Sequence, residues 1–328
     1  MRRALRCSSR SRLLLPILLL SVCLLLACVA QGQTVRLVRF GDFESWCVRY
    51  IPESAVIGGN TRCIYAVGPA DTLRGPVVYK ANTPWSNSNA YARVMGVTKT
   101  SCSVTPDRSH DGSTCAKLET RYEELKVAGL VNIRILVSGC LFWGRQNEPL
   151  NSVSSPYSLM TWGVPFTSRP RALVLDYRSQ MPNKGVITTC RVTTQSTRKG
   201  DDAQEVLFVL QRRWETSDGH IHALRVGTAV YRIEQPTDTW VKHFRIPLIY
   251  GDARRSSAYR PYMGLGPKGV TYYASNSRGK MVPIEEEGWA DANATPTHAM
   301  MIITASTQEA FSGTVGNTLW VDNIGLEY

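Results

Sequence analysis

Apolar positions in this chain recur at every second residue over short runs, and no stretch sustains a 3.6-residue period. Thr34 to Phe40, Ala90 to Lys99, Ala172 to Arg178, Val186 to Thr194, Val206 to Trp214, Leu224 to Ile233 and Trp240 to Ile249 all read as strands. Cys115 to Tyr122 shows the pattern cleanly, with Ala116, Leu118 and Thr120 on one face and Lys117, Glu119 and Arg121 on the other. Turn residues punctuate these runs at Ile57-Gly58-Gly59-Asn60, at Met181 to Gly185 and at Asp218-Gly219, the last a hairpin signal. Leu125 to Val137 is the most apolar segment after the N-terminus. Its length suits a helix, but its Val and Ile content and internal Gly129 argue for strands. Gly251 to Pro296 is long and polar and reads as a loop insertion. Many short strands with regular turns predict an all-β sandwich or barrel.

The chain closes on a strand, within Phe311 to Tyr328. Leu319, Val321, Ile324 and Leu326 alternate with polar or small residues, with a slip at Asp322-Asn323. An acid in the middle of a half-buried strand is costly unless it binds a cation or accepts hydrogen bonds. Asp322 is therefore the residue to explain.

This closing segment, LWVDNIGLEY, resembles the last strand of jelly-roll carbohydrate-binding modules. With Gly163 to Pro182 (GVPFTSRPRALVLDYRSQMP), it is similar to the putative carbohydrate metabolism domain of lipoproteins and secreted proteins from glycan-degrading Gram-negative bacteria. GDFESW (Gly41 to Trp46) and AKLETR (Ala116 to Arg121) extend the likeness over most of the chain beyond its first 32 residues. The resemblance implies a jelly-roll β-sandwich with long loop insertions from about residue 33 to 328, with a sub-boundary near 160 as the alternative. It also implies a role with glycans. In such jelly rolls, acids at the first and last strands hold a structural calcium ion, which marks Asp42, Glu44 and Asp322 here; two or three carboxylates plus backbone carbonyls would serve.

Composition sharpens this picture. Arg2, Arg3, Arg6, Arg10 and Arg12 precede the apolar run LLLPILLLSVCLLLACVA, the layout of a secretory signal over residues 1–32. Leu25-Leu26-Ala27-Cys28 offers the rival of a lipid on Cys28 and outer-membrane association. Export to the periplasm, the outer-membrane surface or the medium is expected. The formal charge of +12 falls to about +7 without those five arginines, and the excess forms no basic stripe, so nucleic acid is not an expected partner. Six cysteines remain after residue 32. Cys102 and Cys115 bracket a loop-like run and are the pair expected to form a disulfide. There is no C-x-x-C and no His at ligand spacing from a Cys, so zinc is not expected.

Catalytic patterns are scarce. A glycosidase needs two carboxyls about 5 to 10 Å apart across a cleft. Glu119, Glu123, Glu124, Glu148, Asp176 and Glu205 are available, with Glu119 and Asp176 foremost, yet none stands in a diagnostic motif. Aromatic usage is more telling. Eight Trp and fourteen Tyr against seven Phe favour rings with a polar edge, suited to stacking on sugar C–H faces. Trp85, Trp143, Trp162, Tyr272 and Tyr273 lie beside polar residues and are the expected glycan contacts, whereas Trp240 and Trp320 are expected to pack. Phe166, Arg169 and Pro170 are explained by a turn held by a guanidinium–carbonyl bond. The sequence thus points to an exported carbohydrate-binding or accessory protein in glycan uptake or metabolism at the cell envelope. A sugar-active hydrolase using a carboxylate pair is the alternative reading, and a surface adhesin or structural subunit the third.

Overall fold

The alternation is realised as sheets. The computed structural model describes residues 34–328 except 95, 128–130, 152–155, 193 and 267–270, so the expected signal segment and Cys28 lie outside the described residues. One sheet has six strands. Its order is Val241–Pro247, Ala172–Gln180, Thr318–Glu327, Thr114–Glu119 and Val104–Arg108, with Val35–Leu37 beside the far end of the closing strand. The second has ten strands, centred on Gln204–Glu215, Ile221–Ile233, His298–Thr304 and Cys140–Gln146. Leu173, Leu175, Leu319 and Val321 from the first sheet meet Phe208, Leu210, Met301 and Ile303 from the second in one buried core. The fold is an all-β sandwich, and its core residues sit at alternate positions as a two-layer arrangement requires.

The closing strand is central to the six-stranded sheet, antiparallel to Ala172–Gln180 on one side and Thr114–Glu119 on the other. Its register to Ala172–Gln180 shifts between Val174 and Asp176: Val174 faces Gly325, but Asp176 faces Asp322. The closing strand thus carries one extra residue there, and Asn323 takes a left-handed φ of 50°. The slip at Asp322-Asn323 is this bulge, and past it Ile324 and Leu326 return to the core.

Two expectations need correction. Leu125 to Val137 contributes to a hairpin, Arg121–Val127 with Val131–Val137, as its β-branched content indicated. The supposed insertion from Gly251 to Pro296, however, contains the nine-residue strand Met281–Trp289, which runs parallel to Ile221–Ile233. Its run of three glutamates hid it. The disulfide is also absent, since Cys102 and Cys115 are free, as are Cys47, Cys63, Cys140 and Cys190. The reason is register: Cys115 pairs with Asp107, while Cys102 lies five residues back, about 16 Å along an extended strand. A disulfide needs Cα atoms within about 7 Å.

Strand pairing also runs across position 160. Met160–Trp162 pairs with Cys140–Gln146, and Val164–Pro165 pairs with His298–Thr304. Gly144 makes this possible, because a Cβ there would lie 1.9 Å from the Thr161 carbonyl oxygen.

Candidate functional site

The face of the ten-stranded sheet turned away from the sandwich core lines a cavity of about 1100 Å³. Strand alternation decides which residues reach it. In Cys140–Gln146, Leu141 and Trp143 enter the core, so Cys140 and Phe142 face the cavity. In His298–Thr304, Met301 and Ile303 are core, leaving Ile302 and Thr304 on the cavity side. The apolar floor is Phe142, Met160, Trp162 and Ile302, with Tyr262 and Tyr272 packed against the same cluster. The Trp162 ring lies 4.6 Å from Phe142 and 5.2 Å from Tyr272, the latter edge-on. Buried Trp162 thus backs the half-buried Tyr272.

Polar groups join this floor. Arg232 donates to Glu205 at 2.6 Å, and its guanidinium lies 4.7 Å over the Tyr262 ring. Burial pushes the Glu205 carboxyl above its ordinary value, although the Arg232 bond and charge pull it back. Gln146 donates to the Asn89 carbonyl at 3.0 Å, while its buried Oε1 has no hydrogen-bond partner. Glu123 and Glu124 line the same cavity. Aromatic faces with convergent polar groups in a concave site are the ingredients of a small-molecule or sugar pocket.

The expected glycan contacts divide. Trp162 and Tyr272 line the cavity, whereas Tyr273 packs against the same apolar cluster from the strand Tyr273–Ser275. Trp85 and Trp143 are corrected: they are only 3% and 4% exposed, 6.0 Å apart, and belong to the sandwich core. A single-residue shift of strand face put Phe142 in the cavity instead of Trp143, and sequence neighbours cannot show that shift. Tyr262, Glu205 and Arg232 complete the site. Of these, Glu205 stood among the carboxylates considered, while Tyr262 sits in a short 3-10 turn, Pro261–Met263, that carried no signal.

Glu119 and Asp176 do not face one another across a cleft. Both lie on the outer face of the six-stranded sheet, opposite the core positions Leu118, Leu175 and Tyr177. Glu119 is half-exposed and 3.7 Å from Lys117. Asp176 is buried beside Asp322, its partner in register. Asp176 accepts from the His243 backbone N–H at 2.5 Å and the Asn323 amide at 3.0 Å, and meets His110 Nε2 at 2.9 Å. Against the cost of burial, these bonds hold its carboxyl below the ordinary range. Asp322 accepts from the Ser109 hydroxyl and the Asn323 backbone N–H. Burial, then the charges of Asp111 and Asp176, push it up to about 6. Trp240 packs edge-on against His110 at 5.3 Å, closing the cluster.

Asp42 and Glu44, expected beside Asp322 around calcium, are not gathered with it. Glu44 instead accepts from the Thr114 N–H at 2.8 Å. Among the described residues, the set of three ligating side chains drawn together is His222, Glu285 and Glu287. Trp320 is packed as expected, donating to Asp107 at 2.9 Å beneath the Arg178 guanidinium. Arg169 holds its turn through the carbonyls of Ala292 and Ala294 and lies 4.1 Å over Tyr250, the guanidinium–carbonyl contact expected of it.

An all-β sandwich with an aromatic cavity defines the broad class. The match to the family model for the putative carbohydrate metabolism domain, over residues 71–327, makes the narrower assignment: the chain belongs to that family. Two similar solved structures are described as putative glycoside hydrolases. That from Bacteroides vulgatus ATCC 8482 is 15% identical, covers 89% of this chain and 94% of its own, and has a TM-score of 0.40. The one from Bacteroides thetaiotaomicron VPI-5482 is 14% identical, covers 91% and 96%, and has a TM-score of 0.43. A carbohydrate-binding module specific for non-crystalline cellulose is 10% identical over 74% of this chain and 87% of its own, with a TM-score of 0.27. No curated protein matches the chain.

Proposed function

We propose that this is an exported carbohydrate-binding protein serving glycan uptake or metabolism at the cell envelope, and that its ligand occupies the cavity over the ten-stranded sheet. One observation carries the proposal: the half-buried Tyr262 and Tyr272 offer aromatic surface, over the buried Phe142 and Trp162, in the same cavity as the Glu205–Arg232 pair. Sugar rings need both, because their C–H faces stack on aromatic rings while their hydroxyls need donors and acceptors. Membership of a carbohydrate-metabolism family supports the ligand class, and the basic, then apolar N-terminal segment supports export. A glycan array probed with the chain tests the proposal. Binding to one glycan class, weakened by Tyr272→Ala, supports it, and silence across the array contradicts it.

A hydrolase reading is favoured by one specific feature. Glu205 is a half-buried carboxyl that burial pushes above its ordinary value against the pull of Arg232, the direction required of a proton donor, and Glu123 and Glu124 line the same cavity. Release of reducing ends from the bound glycan, abolished by Glu205→Gln, would select this reading over simple binding.

A further inference from the structure

On the same ten-stranded sheet, but outside the cavity lining, two neighbouring strands present a second chemical cluster. His222 lies in Ile221–Ile233, and His220 immediately precedes that strand. Glu285 and Glu287 lie in Met281–Trp289. The spacing of two residues in each puts both pairs on one sheet face, and the register sets His222 directly beside Glu285. Glu286, between the two glutamates, turns the other way and forms a buried pair with Arg225. A register shift at Ala223/Leu224 leaves Glu287 as an extra residue between the pairings of Glu286 and Gly288. That bulge returns a second carboxylate to the imidazole: Glu287 Oε1 is 2.5 Å from His222 Nδ1, and Glu285 Oε2 is 3.7 Å from the same nitrogen.

We propose that His222, Glu285 and Glu287 form a surface binding site for a divalent transition-metal ion, zinc foremost. One ligand atom from each of the three lies within 4.8 Å of those of the other two. Atoms sharing one tetrahedral zinc are about 3.3 Å apart, so small side-chain rotations complete the site. One imidazole and two carboxylates suit zinc, and the two negative charges balance a divalent ion. Solvent fills the remaining position.

Two further observations point the same way. Although Lys and Arg outnumber Asp and Glu 38 to 26, no Lys or Arg among the described residues forms an ion pair with Glu285 or Glu287; both meet only imidazoles. The imidazole is also held in place. The Trp214 ring, its cross-strand neighbour, stacks on His222 at 5.6 Å and 16°. On the other side His220 Nδ1 is 3.0 Å from Glu285 and orients that carboxylate. The site is open to solvent, so an ion has a path of entry. It is separate from the cavity, whose lining includes none of these residues.

Titration of the chelator-treated chain with Zn²⁺ by calorimetry tests the site. One ion per chain is expected, with His222→Gln and Glu287→Gln each weakening binding by about tenfold or more, since even partners of a ligand cost about 10–100-fold. These side chains are partly or largely exposed, and unchanged circular dichroism would confirm that the variants fold. Cu²⁺ provides a second readout: it should quench the emission of Trp214, and the quench should vanish in Trp214→Phe. Failure of Zn²⁺ to saturate the chain, or binding unaltered in both ligand variants, would overturn the proposal.

Discussion

Asp176 and Asp322 face each other across the ladder between the strands Ala172–Gln180 and Thr318–Glu327, both buried and with opposite protonation tendencies. Burial is the main cause of the upward shift at Asp322, and the charges of Asp111 and Asp176 add to it. Asp176, with its three hydrogen-bonding partners, stays charged, and Asp322 is left to take up a proton. Through Ser109, His110 and Asn323 the pair ties the Val104–Arg108/Thr114–Glu119 hairpin turn to the bulge of the closing strand.

The sign of the resulting pH dependence is defined. A carboxyl raised from 3.8 to about 6 on folding contributes stability that is full below 3.8 and is lost as pH rises through about 6. His298, half-buried near Arg213 and pushed down to about 4, acts oppositely: its contribution is lost as pH falls from 6.5 toward 4. The informative quantity is therefore the difference between wild type and Asp322→Asn. Melting temperature across this window should show the variant gaining relative to wild type as pH rises. A constant offset would refute the assignment.

Trp143 is a core residue packed against Trp85, Phe166 and Phe208. Trp143→Ala should destabilise the fold by about 3–5 kcal/mol in urea. Tyr272→Ala, at the cavity edge, should cost far less. Equal losses would show that the assignment of strand faces is wrong.

The Arg225–Glu286 pair is buried, and Gln211 also donates to Glu286, at 2.8 Å. Glu286→Ala leaves a buried guanidinium without its partner and should cost about 3–5 kcal/mol. Replacing both members, Arg225→Met with Glu286→Leu, should recover much of that loss. A double variant no better than the single would mean that the surrounding polar network, not the unpaired charge, sets the cost.

All six cysteines after residue 32 are free, and Cys47, Cys115 and Cys190 are buried. Burial pushes the Cys115 thiol up to about 12, so it should be inert to thiol reagents in the native chain. Unfolding in denaturant without reductant should expose all six to titration, and a lower count would reveal a disulfide.

Periodicity made the layers legible, because a period of two fixes which residues of a strand share a face. It also revealed the bulge, since the apolar phase visibly slips at Asp322-Asn323. It could not say which face of a strand meets the core when both are apolar, as in LFWGR, and so it exchanged Trp143 for Phe142. Met281–Trp289 escaped notice because Glu285 and Glu287 look outward while Glu286 is neutralised by an arginine 61 residues away. Asp176 and Asp322 were each visible, but their pairing depends on register across 146 residues. The His220/His222 and Glu285/Glu287 motifs were equally plain in the sequence, and only the parallel pairing of their strands makes them one cluster.

The central claim is that the cavity over the ten-stranded sheet holds a glycan. Its most direct measurement is the affinity of the chain for the glycan class found on an array, compared among wild type, Tyr272→Ala, Arg232→Ala and Glu119→Gln. Affinity should fall in the first two variants and hold in Glu119→Gln, which alters the outer face of the other sheet. Undiminished affinity in Tyr272→Ala and Arg232→Ala, or loss in Glu119→Gln alone, would place the ligand elsewhere and contradict the account.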